Sequence, residues 1–243
     1  MATLASDPSG PATAIQRLTP ADRNILPTLL SKTHVFVKSY MSRYDSSHDF
    51  SHVLRVLHLA LHIAQAEQKI DGAPAYDKTI VTLAALLHDV GDKKYVREGE
   101  ENDEYAVKTF LLGSGASEQL SEVVQTIVNG VSYSKEVKDP QKVLLLIKEY
   151  PELAVVQDAD RLDAIGAVGI GRTFTFAGAK GSGGPGMENV LKHFEEKLLR
   201  LGGMMKTKTG NEMAEKRLKI LRDFERCWLE EKSMAGGVEI MME

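Results

Sequence analysis

Residues 80–89 read Ile80-Val81-Thr82-Leu83-Ala84-Ala85-Leu86-Leu87-His88-Asp89, a strongly apolar run that ends in two ionisable side chains. Burying an imidazole and a carboxylate without partners is costly. A divalent cation would be a suitable partner, because a nitrogen donor beside an oxygen donor supplies half of a mixed four-ligand site. Such a site needs one more histidine and one more aspartate, for which His52 and Asp160 are the candidates. The alternative for the doublet alone is a buried, hydrogen-bonded pair without metal.

The composition favours one globular domain in a reducing compartment. The chain has 243 residues, of which 43% are hydrophobic, so it is long enough to bury a sizeable core. A net charge of -4 argues against nucleic acid and anionic membranes as partners. The one cysteine, Cys227, cannot form an intramolecular disulfide, and no stretch approaches the roughly eighteen apolar residues of a membrane span. We therefore expect a cytoplasmic protein.

Apolar residues recur at helical spacing along most of the chain, which predicts an all-α fold built as a single compact helical bundle. The predicted helices cover residues 20–43, 51–69, 75–90, 102–112, 117–132, 151–177, 187–201 and 210–231. They form a core over residues 20–232. We expect a flexible tail at 1–19, a mobile glycine-rich loop at 179–186 and a second tail at 233–243.

Three histidines share the second predicted helix, and helical projection separates them. His52 lies in the centre of the apolar stripe and should point inward. His58 and His62 lie on the polar side. Their four-residue spacing is that of a zincin-type protease site, but the glutamate that should follow the first histidine is missing.

Acidic residues cluster near the predicted helix end at Gly91 and again around Asp160. Glycine readily adopts the left-handed conformation just beyond a helix, which would bring both Asp89 and Asp92 to one site. Downstream, Asp160 and Asp163 share a helix face. Asp158 points nearly away from that face, and only one of these three aspartates need bind metal. The alternative for the downstream segment is a cluster of caps and salt bridges.

Three motifs taken together resemble the HD-domain metal-dependent phosphohydrolase superfamily. They are Asp49-Phe50-Ser51-His52, His88-Asp89-Val90-Gly91-Asp92 and Asp158-Ala159-Asp160-Arg161-Leu162-Asp163-Ala164. The closer resemblance is to a subgroup of small single-domain HD hydrolases of bacteria and fungi. It runs from about Thr33 through the C-terminal helices, and its motifs are specific as a set although each is weak alone.

The resemblance implies a role for each matching residue. It places the metal ligands on His52, His88, Asp89 and Asp160. It also implies that Asp92 orients or deprotonates the attacking water, and that His48-Asp49 is not a metal-binding doublet. We assign catalysis to Asp92, Arg55 and Lys93, and substrate binding to Lys94, Arg172, His48 and Asp163.

The implied activity is metal-dependent hydrolysis of a phosphate bond in a small nucleotide. Mixed imidazole and carboxylate donors suit manganese, our first choice, and also magnesium, cobalt, nickel, iron or zinc. Pyrophosphohydrolysis of nucleoside triphosphates is the leading hypothesis, with a 5′-nucleotidase acting on monophosphates as the alternative. A non-catalytic nucleotide-binding or scaffold protein is the alternative of another class. The sequence leaves the base preference, the physiological metal and the oligomeric state open.

Overall fold

A computed structural model describes residues 17–43, 49–92, 104–179 and 187–236, and all regular elements in these ranges are helices. The all-α prediction is therefore confirmed. In chain order the elements are α1 (Pro20–Met41), α2 (Phe50–Glu67), α3 (Lys78–Leu87), α4 (Ala106–Gly113), α5 (Glu118–Val131), α6 (Tyr133–Lys138), α7 (Pro140–Glu149), α8 (Glu152–Asp163), α9 (Gly166–Ala179), α10 (Met187–Glu196), a 3-10 helix (Leu198–Met204) and α11 (Lys208–Gly236). Among the described helices, none combines the length and the apolar character needed to cross a membrane.

Helix α2 lies at the centre of the fold and packs against α3 and α8. Its buried apolar face consists of Val53, Val56, Ala60 and Ile63, which recur at helical spacing. Helix α3 is apolar on nearly every side and also packs against α1, α5 and α8. The helices that carry the predicted metal ligands are thus the most deeply packed part of the molecule.

The predicted helix over residues 151–177 is wrong in one respect, because it is two helices. Helix α8 ends at Asp163 and α9 begins at Gly166. Gly166 has a φ of 76°, and a Cβ atom there would lie 3.0 Å from Cγ of Arg217. Glycine therefore satisfies both the left-handed backbone and the close approach of α11. Helical spacing of the apolar residues had predicted this glycine to lie within a helix.

Helices α6 and α7 were not predicted from the sequence. The start of α7 has a recognisable signal, since Pro140 occupies the first turn and the Asp139 carboxylate accepts a hydrogen bond from Lys142 N at 3.1 Å. Both helices are short, and each buries only one residue, Glu136 in α6 and Val143 in α7. So little burial leaves only a weak helical pattern in the sequence.

The ends of the described chain differ from the predicted boundaries. Residues 1–16 lie outside the described residues, but residues 17–19 pack on the core, with Leu18 buried and Arg17 paired with Glu152 at 2.6 Å. At the other end, α11 continues to Gly236, beyond the predicted start of the tail at residue 233. Within the predicted loop, Ala179 is the last residue of α9, and residues 180–186 lie outside the described residues.

The Asp22 carboxylate joins the start of α1 to the start of α5. It accepts hydrogen bonds from Thr19 N at 2.9 Å, Thr19 Oγ1 at 2.6 Å, Ser117 N at 2.8 Å and Ser117 Oγ at 2.7 Å. Burial raises the pKa of Asp22, but the hydrogen bonds from Thr19 and Ser117 outweigh this effect and lower the pKa below its ordinary value. The ionised carboxylate therefore stabilises the fold.

We predict that Asp22→Asn lowers the free energy of unfolding at pH 7 by about 2 kcal/mol, because the amide leaves buried donors unsatisfied. A group with a lowered pKa in the folded state stabilises the protein above its unfolded-state pKa of about 3.9, and this contribution is lost as the pH falls toward the folded-state pKa. The difference between variant and wild type should thus shrink below about pH 4. Urea titrations at neutral and acidic pH measure it. The exposed Asp71 supplies the control: Asp71→Asn should match wild type, and an equal loss in both variants would contradict the assignment.

Candidate metal centre

His52 enters the site from the first turn of α2. Asp49 caps this helix, because its side chain accepts a hydrogen bond from His52 N at 3.2 Å. The His52 side chain is 1% exposed, as its position on the apolar stripe predicts. His58 and His62 are exposed on the opposite side of α2, so the structure does not bring them to this site.

His88 and Asp89 directly follow α3 and are both buried. His88 Nδ1 lies 2.9 Å from the carbonyl oxygen of Ala85. Because a carbonyl can only accept, Nδ1 donates this hydrogen bond, and Nε2 is the ring nitrogen that can bind a metal. Gly91 adopts a φ of 76°, as predicted for a residue just beyond the helix, and its amide donates to the Tyr40 hydroxyl at 3.2 Å.

Four donor atoms converge between α2, α3 and α8. The two Nε2 atoms of His52 and His88 are 3.1 Å apart, and Oδ2 of Asp89 lies 3.4 Å from each of them. Oδ1 of Asp160 lies 3.5 Å from His52 Nε2 and 3.7 Å from His88 Nε2. Ligands that share one divalent ion at about 2.0–2.2 Å lie roughly 3–3.5 Å from one another. The ligand atoms of His52, His88 and Asp89 all lie within 4.8 Å of one another, and these three residues fit a divalent metal in both spacing and donor chemistry. Asp160 lies slightly farther away at 3.5 and 3.7 Å.

The three downstream aspartates have different partners. Asp160 is one-third exposed and reaches the histidines, as described above. Asp158 points away into the protein, where it accepts hydrogen bonds from Lys206 N at 2.9 Å, Thr207 N at 2.8 Å and Thr207 Oγ1 at 2.7 Å. Asp163 contacts Nδ1 of His52, the ring nitrogen that faces away from His88. The structure thus separates a metal-facing, a structural and an orienting carboxylate within one helix.

Asp163 is the centre of a charged cluster behind His52. Its Oδ2 accepts a hydrogen bond from His52 Nδ1 at 2.8 Å, which leaves His52 Nε2 for the metal side. Arg55 donates to both carboxylate oxygens at 2.8 and 3.0 Å, and Arg172 donates to Oδ2 at 3.0 Å. Burial raises the pKa of Asp163, but hydrogen bonds from His52 and Arg55 and the charge of Arg172 bring it far below its usual range. The carboxylate is therefore ionised.

The hydrogen bond between Asp163 and His52 also changes the pKa of His52. Burial lowers the pKa of His52, whereas its hydrogen bonds with Asp163 and Asp89 raise it above the ordinary value. A proton therefore competes with a metal for this imidazole more strongly than in an isolated histidine. The hydrogen bond also fixes the tautomer and the orientation of the ring, as outer carboxylates commonly do in metal sites.

His88, Asp89 and Asp160 line a cavity of about 400 Å³. Asp92, predicted to handle water, is one of its lining residues. Arg55, Arg172 and Asp163 do not line this cavity but form the cluster behind His52, so the structure gives them a position different from the direct roles that the sequence suggested. His48, Lys93 and Lys94 lie outside the described residues.

Several other residues that line the cavity were not predicted from the sequence. They lie on α5, on α6, between these two helices and just beyond α10, and include Asn129, Ser132, Tyr133, Ser134, Lys135 and Lys197. The polar stretch from residue 132 to 135 is visible in the sequence, but no spacing rule connects it to His88 more than forty residues earlier. Only the packing of α5 against α3 and α8 brings them together.

Comparisons with known proteins agree with this geometry. A family model described as the HD domain matches residues 49–165, a range that contains His52, His88, Asp89 and Asp160. The uncharacterized protein YpgQ of Bacillus subtilis is 39% identical over 195 residues, which are 79% of this chain and 87% of YpgQ.

Solved structures of HD-superfamily proteins and of YpgQ are also similar to this chain. The crystal structure of B. subtilis YpgQ in complex with ADP has a TM-score of 0.66 and 34% identity, over 85% of this chain and 96% of that one. An HD-superfamily hydrolase from Bacillus thuringiensis has a TM-score of 0.62 and 31% identity, over 86% of this chain and 98% of that one. Because the likeness extends over most of both chains in sequence and in structure, this chain belongs to the HD-domain superfamily of metal-dependent hydrolases.

Proposed function

We propose that this protein hydrolyses a phosphate bond of a small nucleotide, and that its preferred reaction converts a nucleoside triphosphate to the monophosphate and pyrophosphate. The observation that carries the proposal is the position of the metal cluster, which opens into a cavity of about 400 Å³. This volume lies in the usual range for small-molecule sites. The YpgQ structure with ADP adds support, because that relative binds a nucleotide.

His52, His88, Asp89 and Asp160 would hold the ion, with manganese as our first choice among the divalent metals. When bound, the ion supplies Lewis acidity that polarises a phosphoryl oxygen and acidifies water. The protein contributes a fixed set of donors, because His88 is held by Ala85 and His52 by Asp163. Such preorganisation avoids a rearrangement of the site during the reaction.

Asp92 is positioned to handle the attacking water. It lines the cavity three residues beyond Asp89, so its carboxylate and the metal ligands face the same space. A carboxylate there can orient a water molecule and accept its proton. Val128 and Val131 contribute apolar surface to the same cavity.

Arg55 and Arg172 act on the reaction through Asp163. Their guanidinium groups keep this carboxylate ionised, and the carboxylate orients His52. We propose that both arginines are positioning residues. The assignments of Lys93 to catalysis and of Lys94 and His48 to substrate binding stay predictions from the sequence.

A substrate panel tests the proposed reaction. Incubated with manganese and nucleoside tri-, di- or monophosphates, the protein should release pyrophosphate from triphosphates, and no orthophosphate in the first step. Release of orthophosphate from monophosphates alone would instead identify a 5′-nucleotidase. Binding of nucleotides without any product would identify a non-catalytic binding protein, and each of these results would refute the proposed reaction.

Removing one ligand should remove the metal. We expect His52→Ala to lose most of its bound metal and to hydrolyse substrate about a hundredfold more slowly or worse, because an ion held by fewer donors dissociates. Elemental analysis of the purified protein measures the metal independently of activity. His58→Ala and His62→Ala change the same residue type on the exposed side of the same helix and should retain both properties. Metal loss in these controls would argue against the assigned site.

Replacing Asp163 should weaken metal binding less than removing the ligand His52, and the two effects can be measured separately. Asp163→Asn should weaken metal binding about 10- to 100-fold, since an amide orients the His52 ring less firmly and does not neutralise the two arginines. Competition with a metal-binding dye measures the affinity. Saturating manganese should restore part of the turnover, whereas it should not rescue His52→Ala. Wild-type affinity in Asp163→Asn would show that the hydrogen bond at 2.8 Å does not support the ligand.

A further inference from the structure

Two lysines line the same cavity as the metal-facing residues. Lys135 lies on α6, and Lys197 lies between α10 and the 3-10 helix. The described carboxylates that line the cavity are Asp89, Asp92, Glu104 and Asp160. The cavity therefore combines carboxylates that suit a cation with lysines that suit an anion.

Tyr133 positions one of these lysines. Nζ of Lys197 lies over the Tyr133 ring, 5.0 Å from its centroid, which is within the range of a cation–π contact. Tyr133 itself lines the cavity and begins α6, the helix that carries Lys135. The aromatic ring thus connects the two lysine-bearing segments at the cavity wall.

Helix α6 is anchored by a buried ionic network. Glu136, next to Lys135, is 6% exposed, and its carboxylate accepts hydrogen bonds from Arg161 and, at 2.7 Å, from Nζ of Lys206. Burial raises the pKa of Glu136, but the bonds from Lys206 and the charge of Arg161 lower it more. Arg161 directly follows the metal-facing Asp160. The orientation of α6 is therefore tied to the helix that supplies a metal ligand.

The segment that follows Lys197 is anchored to the same arginine. Nη1 of Arg161 donates to the carbonyl oxygen of Met204 at 2.7 Å, at the end of the 3-10 helix that starts after Lys197. Arg161 is 3% exposed, so these bonds form in a protected environment where they are strong. One buried guanidinium thus holds both lysine-bearing elements at a fixed position relative to the metal centre. The Lys135 side chain is exposed, so this network fixes the element that carries the lysine.

We propose that Lys135 and Lys197 bind the phosphate groups beyond the cleaved bond, which leave as pyrophosphate. The inference rests on the proposed function, since it assumes that the bond next to the metal is cleaved. When the cleaved bond of a triphosphate lies at the metal, its two terminal phosphates extend into the rest of the cavity. There they need cationic partners, which Lys135 and Lys197 provide. A monophosphate fills only the metal end. The lysines therefore select substrates by the length of their phosphate chain.

Binding of inorganic pyrophosphate tests the proposal directly. It is titrated into the metal-loaded protein as its complex with the same ion, and calorimetry reports the affinity. Lys135→Met and Lys197→Met should each weaken binding about tenfold, the effect of one charge-assisted hydrogen bond. Lys138→Met on α6 and Lys192→Met on α10 remove the same charge from exposed positions that do not line the cavity, and they should bind like wild type.

Kinetics provides a second, independent measure. The KM for nucleoside triphosphates should rise about tenfold in Lys135→Met and Lys197→Met, while binding of nucleoside monophosphates should stay unchanged. Equal losses for both substrates, or unchanged pyrophosphate binding, would overturn the proposal. If the wild type cleaves no nucleotide yet the lysine variants still lose pyrophosphate affinity, the phosphate site stands and the proposed reaction is wrong.

The role of Tyr133 is tested by two substitutions. Tyr133→Phe keeps the ring face below Lys197 and should retain pyrophosphate affinity. Tyr133→Leu removes it and should weaken binding by about two- to fivefold, as expected for a partly exposed cation–π contact. Identical affinities in both variants would show that the ring does not position the lysine.

Discussion

The hydrogen bond between Asp163 and His52 is the interaction on which the site depends. It crosses from α8 to α2, two helices that pack directly against each other at the centre of the fold. An ionised carboxylate could not be kept in this buried position without compensation, and Arg55 and Arg172 provide it. The fold and the site therefore depend on the same contact. It joins α8 to α2, and it orients the His52 ring so that Nε2 faces His88 and Asp89.

A second group of charged residues connects the metal-facing helix α8 to the cavity-lining helix α6. Arg161 and Glu136 connect α8 to α6, and Lys206 joins them from the segment before α11. Buried ion pairs of this kind add little net stability compared with apolar packing, but they fix relative orientation. Here they join the helix that carries Asp160 to the helix that carries Tyr133 and Lys135.

The sequence predicted the metal-facing residues better than the rest of the cavity. His52 could be identified because helical periodicity separates it from His58 and His62, and His88 with Asp89 because they interrupt an apolar run. The choice of Asp160 over Asp158 needed the family resemblance, since local chemistry allows both. Tyr133, Lys135 and Lys197 could not be found, because their elements are short and meet the site only through tertiary packing. The break at Gly166 was missed because it depends on a contact with Arg217, far along the chain.

The contacts of Asp158 and Arg161 bear on where the folding unit ends. The HD-domain match stops at residue 165, yet Asp158 accepts hydrogen bonds from residues 206 and 207, and Arg161 donates to the carbonyl oxygen of Met204. A fragment cut at the limit of the match would leave the buried Asp158 carboxylate without these donors, which costs about 1–3 kcal/mol or more. Arg161 would lose the Met204 carbonyl and keep only Glu136. The region covered by the match is therefore not an autonomous module. During synthesis, the helix that presents Asp160 reaches its final packing only after the C-terminal segment has left the ribosome.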